Sequence, residues 1–76
     1  MKELLAVLVK SLVTYPNEIN IVEEEDDNNI ILKLAVHKTD IGKIIGKNGK
    51  VIRSIRTVVK AGAYETKKRI IVEIVE

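Results

Sequence analysis

The sequence predicts an α+β fold: a three-stranded mixed sheet with helices packed on one face, in the order helix, strand, strand, helix, helix, strand. Three observations predict it. Apolar residues recur at helical spacing near the N-terminus and again after Gly49, and they alternate with period two over residues 30–37 and 70–75. The first two strands are close enough in sequence to form a hairpin. Two helices carry the chain from the second strand to the third, and such a crossover most often returns right-handed to a parallel neighbour.

Each element has its own warrant. Leu4, Leu5, Leu8, Val9 and Leu12 mark an amphipathic helix over residues 2–14, which Tyr15-Pro16-Asn17 ends because Pro16 pushes its predecessor out of α geometry. Val7 and Val13 widen its apolar arc beyond one packing face, which leaves either an extra-buried helix or a dimer contact. Ile19, Ile21 and Val22 begin a short strand that runs into Glu23-Glu24-Glu25-Asp26-Asp27-Asn28-Asn29, read as a solvated hairpin turn. Ile30, Leu32, Leu34 and Val36 form one side of the second strand, with Ile31, Lys33, Ala35 and His37 on the other. Thr39 or Asp40 caps a brief helix through Ile45.

After Gly46-Lys47-Asn48-Gly49 a stronger helix covers about residues 50–64. Val51, Ile52, Ile55, Val58, Val59 and Gly62 share one arc; Arg53, Lys60 and Tyr64 lie opposite, with Arg56 at the border. Residues 65–69 form a loop, and Ile70, Val72 and Ile74 mark one side of the last strand. Seventy-six residues make one small domain, 1–76, without internal repeat or linker. The N-terminal apolar run is too short to span a bilayer and lacks a cleavage site, so neither membrane anchor nor signal peptide is expected.

Charge narrows the partner. The net charge is only +2, but residues 1–37 carry −4 and residues 38–60 carry +6. A polyanion is attracted to the middle segment and repelled by the first third. Within that basic segment lies Gly46-Lys47-Asn48-Gly49. Glycine lets the chain bend with positive φ and lets a ligand come close. The helix that follows presents free N–H groups and its positive end to an anion.

Other chemistries fail on residue inventory. The chain has no cysteine, which removes disulfides and thiolate chemistry and fits a reducing cytoplasm. His37 is the only histidine, so neither a histidine-based catalytic centre nor a zinc site can be assembled; no metal or other cofactor is expected. The clustered acids lack the alternating spacing and glycine of a calcium loop. Gly42-Lys43-Ile44-Ile45-Gly46-Lys47-Asn48 has three residues between its glycines and Asn after its lysine. A nucleotide P-loop needs four, and Ser or Thr. Modules that read RNA by stacking need surface aromatics, and this chain has no Phe, no Trp and only Tyr15 and Tyr64. What remains is a glycine-loop clamp on a sugar–phosphate backbone, with bases lying on aliphatic side chains.

Ile44-Ile45-Gly46-Lys47-Asn48-Gly49-Lys50-Val51-Ile52 resembles the KH signature of apolar pair, Gly-x-x-Gly and apolar helix. The helix and strand ahead of the core make the order resemble the type II, bacterial arrangement. Asp40 to Gly49 followed by Ile55-Arg56-Thr57-Val58-Val59-Lys60-Ala61 is similar to the KhpA family of small, single-KH bacterial RNA-binding proteins, over essentially the full length. Gly62 departs from the alanine-rich helix end expected there and frays it by about 1 kcal/mol.

The resemblance implies roles by position. Gly46 and Gly49 admit the backbone of single-stranded RNA, while Lys47 and Asn48 meet phosphate. Ile41, Ile44, Ile45 and Ile52 are the candidate groove floor beneath about four nucleotides, with at least half of them expected to be mainly core. Lys43, Lys50 and Arg53 flank the groove, and Lys67, Lys68 and Arg69 close its far side. Arg56 and Lys60 are expected on a solvated helix face.

The resemblance further implies a non-catalytic, cytoplasmic RNA chaperone that forms a homodimer and a complex with a larger KH protein, KhpB. A downstream link to cell-wall biogenesis and cell shape comes with it. Two other readings stay open: a KH-fold dimerisation or protein-interaction module that binds little RNA, and a ribosome-associated factor on structured rRNA.

Overall fold

Leucines and valines at helical spacing draw the first helix onto the sheet. In the computed structural model, which describes residues 1–63 and 65–75, α1 spans Lys2–Lys10 and buries Leu5 and Val9 completely. It ends four residues earlier than its periodicity implies. The cause lies elsewhere in the chain: the backbone N–H groups of Thr14 and Tyr15 each donate to a carboxylate oxygen of Asp40 at 3.0 Å, so they are committed outside the helix. A 3-10 turn over Pro16–Glu18 then leads into the sheet.

Strand β1 spans Asn20–Glu25 and pairs antiparallel with β2, Asn29–Ala35, with Ile21 opposite Leu34 and Glu25 opposite Ile30. The hairpin turn is therefore shorter than the acidic run. Glu23, Glu24 and Glu25 belong to the edge strand, where charge is tolerated and discourages pairing with another chain. Lys33 pairs with Glu24 and Lys68 with Glu25, both at 2.5 Å. The turn itself is organised by Asp26, whose Oδ1 accepts from the N–H groups of Asn28 (2.8 Å) and Asn29 (2.7 Å).

Strand β3, Arg69–Val75, runs parallel to β2 with Ile70 opposite Ile30 and Val72 opposite Leu32. The sheet order is β1-β2-β3, so the mixed sheet expected from the sequence is present and β2 is central. Ile30, Leu32, Leu34, Ile70 and Val72 turn inward and meet Leu5, Val9, Ile44, Ile55 and Val59 from the helical layer. Each fully buried side chain of this size stabilises the fold by about 1.5–3 kcal/mol.

Helix α2, Ile41–Ile45, and helix α3, Lys50–Gly62, flank the glycine loop. Neither Thr39 nor Asp40 caps α2 through its side chain. Asp40 faces Thr14 and Tyr15 instead, and the Thr39 N–H donates to His37 Nδ1 at 3.2 Å. β2 stops at Ala35, and the His37 ring stacks on Tyr15 with centroids 4.3 Å apart. α3 ends at Gly62, two residues before the expected position 64, which agrees with a weak helix end there; a Cβ at Gly62 would lie 2.5 Å from Leu4 Cδ2, so the glycine also makes room for α1. Tyr64, expected on the exposed arc of α3, lies outside the described residues. Among the described residues no helix is long and apolar enough to cross a membrane.

Candidate nucleic-acid interface

The loop between α2 and α3 is built from left-handed backbone. Gly46 has φ 74° and ψ 174°, Asn48 φ 57° and ψ 26°, and Gly49 φ 74° and ψ 17°. Gly46 occupies a region essentially restricted to glycine. A Cβ on it would sit 2.3 Å from Val51 Cγ2 and 2.9 Å from the Val51 nitrogen, so backbone as well as side chain excludes one. At Gly49 the nearest atom to such a Cβ is 3.9 Å away, and only its φ favours glycine. Asn48 is the kind of residue that tolerates the left-handed region. Where a right-handed turn gives way to a left-handed one, successive N–H groups form a concavity suited to anions.

Lys47 and Asn48 are exposed at the tip. Immediately beyond, α3 starts at Lys50 with no side-chain cap and no acidic residue in its first turn. Its positive end is left for an external anion. Arg53 lies one turn into α3 and points back at the loop, donating from Nη2 to Asn48 O (2.5 Å) and from Nε to Gly49 O (3.4 Å).

The remaining expected site residues divide. Ile44 is fully buried and Ile52 is 6% exposed, so both are core; Ile41 and Ile45 are half-buried and retain surface beside the loop. The Lys43 ammonium turns to Thr14 Oγ1 and lies 3.5 Å from Asp40 Oδ1, away from a free flanking position. Lys50 borders an apolar cleft between α1 and α3. Lys68 is committed to Glu25, while Arg69 opens β3 and lines a groove between β3 and α3.

That groove brings in residues the sequence reading left on a solvated face. Arg56 and Lys60 line it together with Arg69, and Arg56 Nη2 donates to Val72 O at 3.2 Å. Gly49, Arg53, Arg56 and Lys60 follow one another at intervals of three or four, which places them on one face of α3. The spacing was visible in the sequence; the partner strand was not. A basic stripe thus leads from the glycine loop along α3 for about 16 Å.

Asp40 ties the start of α2 to the segment that follows α1. Burial alone pushes its carboxyl up, but the N–H donors of Thr14 and Tyr15 and the Lys43 ammonium outweigh that, holding it below the usual aspartate range. No described group of three or more His, Cys, Asp or Glu residues could hold a metal ion.

A family model described as KhpA/KhpB, KH domain, matches residues 2–74. The chain is 47% identical over 75 residues to a protein of Clostridium acetobutylicum named RNA-binding protein KhpA, covering 99% of this chain and 100% of that one. Proteins of the same name from Chlamydia pneumoniae and Bacillus subtilis are 46% and 40% identical, over 100% and 97% of this chain and 97% and 91% of theirs. No solved structure matches the chain. With its element order, mixed sheet and Gly-x-x-Gly loop all in place, the chain belongs to the KhpA/KhpB KH-domain family.

Proposed function

We propose that this protein binds single-stranded RNA without catalysis, gripping the sugar–phosphate backbone at Gly46-Lys47-Asn48-Gly49 and laying bases toward Ile41, Ile45 and the groove between α3 and β3. The observation that carries this reading is the left-handed loop delivering the uncapped start of α3. The basic stripe of Arg53, Arg56, Lys60 and Arg69 supports it, as do the relatives named for RNA binding. One such groove spans about four nucleotides, so affinity is weak and sequence preference low. That suits a cytoplasmic RNA chaperone.

Weak modules gain from pairing. An apolar cleft of about 330 Å³ between α1 and α3, lined by Leu8, Leu12, Val51, Ile55 and Val58, favours a homodimer. Leu12 is 38% and Val58 43% exposed, which leaves apolar surface uncovered in the monomer. A larger KhpB-like partner using the same cleft fits the shared family description. A role in cell-wall synthesis and cell shape is carried by the family resemblance.

Titration of short single-stranded RNAs at several salt concentrations tests the binding mode. The double substitution Lys47→Asp with Asn48→Asp is expected to abolish measurable binding while leaving the circular dichroism spectrum intact. A folded double variant that binds as well as the native chain refutes the loop reading. Binding confined to structured rRNA favours the ribosome-associated alternative, and a tight dimer that binds no RNA favours the interaction module.

A further inference from the structure

We propose that Arg53 is the positioning residue of the glycine loop: its guanidinium holds the Asn48 and Gly49 carbonyls, whose peptide N–H groups bond back to Gly46 O and Lys47 O, and so fixes the loop shape that leaves the Lys47 and Asn48 N–H groups to phosphate, without contacting the phosphate itself. The inference rests on the RNA-backbone reading above. Its physical basis is the mixed character of an exposed peptide loop. A phosphate approaching the loop meets the Lys47 and Asn48 N–H groups, which attract it, and carbonyl oxygens that repel it; the Gly49 and Lys50 N–H groups already donate to Gly46 O and Lys47 O. Arg53 Nη2 sits 2.5 Å from Asn48 O and Nε 3.4 Å from Gly49 O, covering the two carbonyls of the left-handed pair.

The side chain reaches them because helix side chains lean toward the N-terminus, one turn back from Arg53. A planar fork can span two oxygens at once; a lysine ammonium is a single point charge. Among the described residues Arg53 forms no ion pair with a carboxylate, so its charge is spent on neutral oxygens and the loop stays positive. Asn48 is the one non-glycine described with positive φ, and it is the residue whose carbonyl the guanidinium takes at the shorter distance. The brace therefore acts where the backbone is least able to hold its own conformation.

Arg53→Lys and Arg53→Ala, each in the full chain, separate a brace from a phosphate ligand. The first readout needs no RNA: amide hydrogen exchange at Gly49 and Lys50, whose N–H groups bond back to Gly46 O and Lys47 O, in the isotope-labelled protein, with the thermal midpoint as a control on global stability. Both variants are expected to exchange faster at these two amides with the midpoint little changed. The second readout is affinity for a labelled single-stranded RNA of about ten nucleotides, longer than one groove spans. Both variants are expected to bind about tenfold more weakly, as for loss of one charge-assisted hydrogen-bonding group, with the salt slope of the native chain.

If Arg53→Lys restores binding, and only Arg53→Ala weakens it with a slope smaller by about 0.7, Arg53 is a phosphate ligand and the proposal is overturned. Unchanged loop exchange in both variants overturns it too, as does full affinity with a loosened loop. Should the native chain bind no RNA, the RNA reading fails, while the exchange measurement still decides whether the brace exists.

Discussion

Glycine carries different meanings at Gly42, Gly46 and Gly49. Gly46 combines a positive φ with a Cβ position already filled by Val51, so Gly46→Ala is expected to destabilise the fold by about 3 kcal/mol. Gly49 has open space around it and pays only for left-handed geometry, so Gly49→Ala is expected to cost about 1 kcal/mol. Gly42 lies in α2 with nothing within 4 Å of a Cβ and no unusual φ, so Gly42→Ala is expected to stabilise by up to about 1 kcal/mol. Urea denaturation of the three variants checks the ranking. The order Gly42, Gly49, Gly46 could not be read from the sequence, where all three look alike. It depends on Val51 folding back over the loop, a contact that no spacing rule encodes.

At the level of elements, the junction of α1 and α2 depends on one carboxylate. Asp40 is fully buried and accepts from Thr14 and Tyr15 while facing Lys43. Its folded-state pKa is depressed, so its contribution is complete above the ordinary value of 3.8 and is lost as pH falls through the lower folded value. Denaturation midpoints measured at neutral pH and below pH 3.8 are expected to differ more for the native chain than for Asp40→Asn. At neutral pH Asp40→Asn is expected to be the less stable protein, because an amide offers only one acceptor oxygen to two N–H donors. The sequence showed Asp40 as a helix-start residue, and its position at the start of α2 agrees. Its partners were not legible, because they lie 25 and 26 residues earlier in a turn that Pro16 marks only as an ending. The same limit shortened α1: periodicity reports which residues are apolar, not which N–H groups are claimed from outside.

Across the whole molecule, the alternation of β2 and β3 and the stripe of α3 were strong enough to predict the sheet and its order. Arg56 and Lys60 are exposed on α3, as expected, but the groove they line with Arg69 was not legible, because a helix face turned from the core is indistinguishable, in one sequence, from a face turned toward a groove. The exposed cleft between α1 and α3 belongs to this scale as well. Leu12→Glu with Val58→Glu is expected to convert a dimer into a monomer by sedimentation, without loss of helicity. A native chain that already sediments as a monomer at high concentration removes the homodimer. Finally, the central position of β2 bears on how the molecule assembles. Its hairpin with β1 closes over residues 26–28, whereas its parallel pairing with β3 must wait for the whole of residues 36–68. Pairings of that separation form late, because the entropy of closing the chain is spent before the contacts repay it. The glycine loop lies inside this late crossover. The proposed phosphate site thus matures with the native state, and on that proposal RNA bound there draws the folding equilibrium toward the finished molecule.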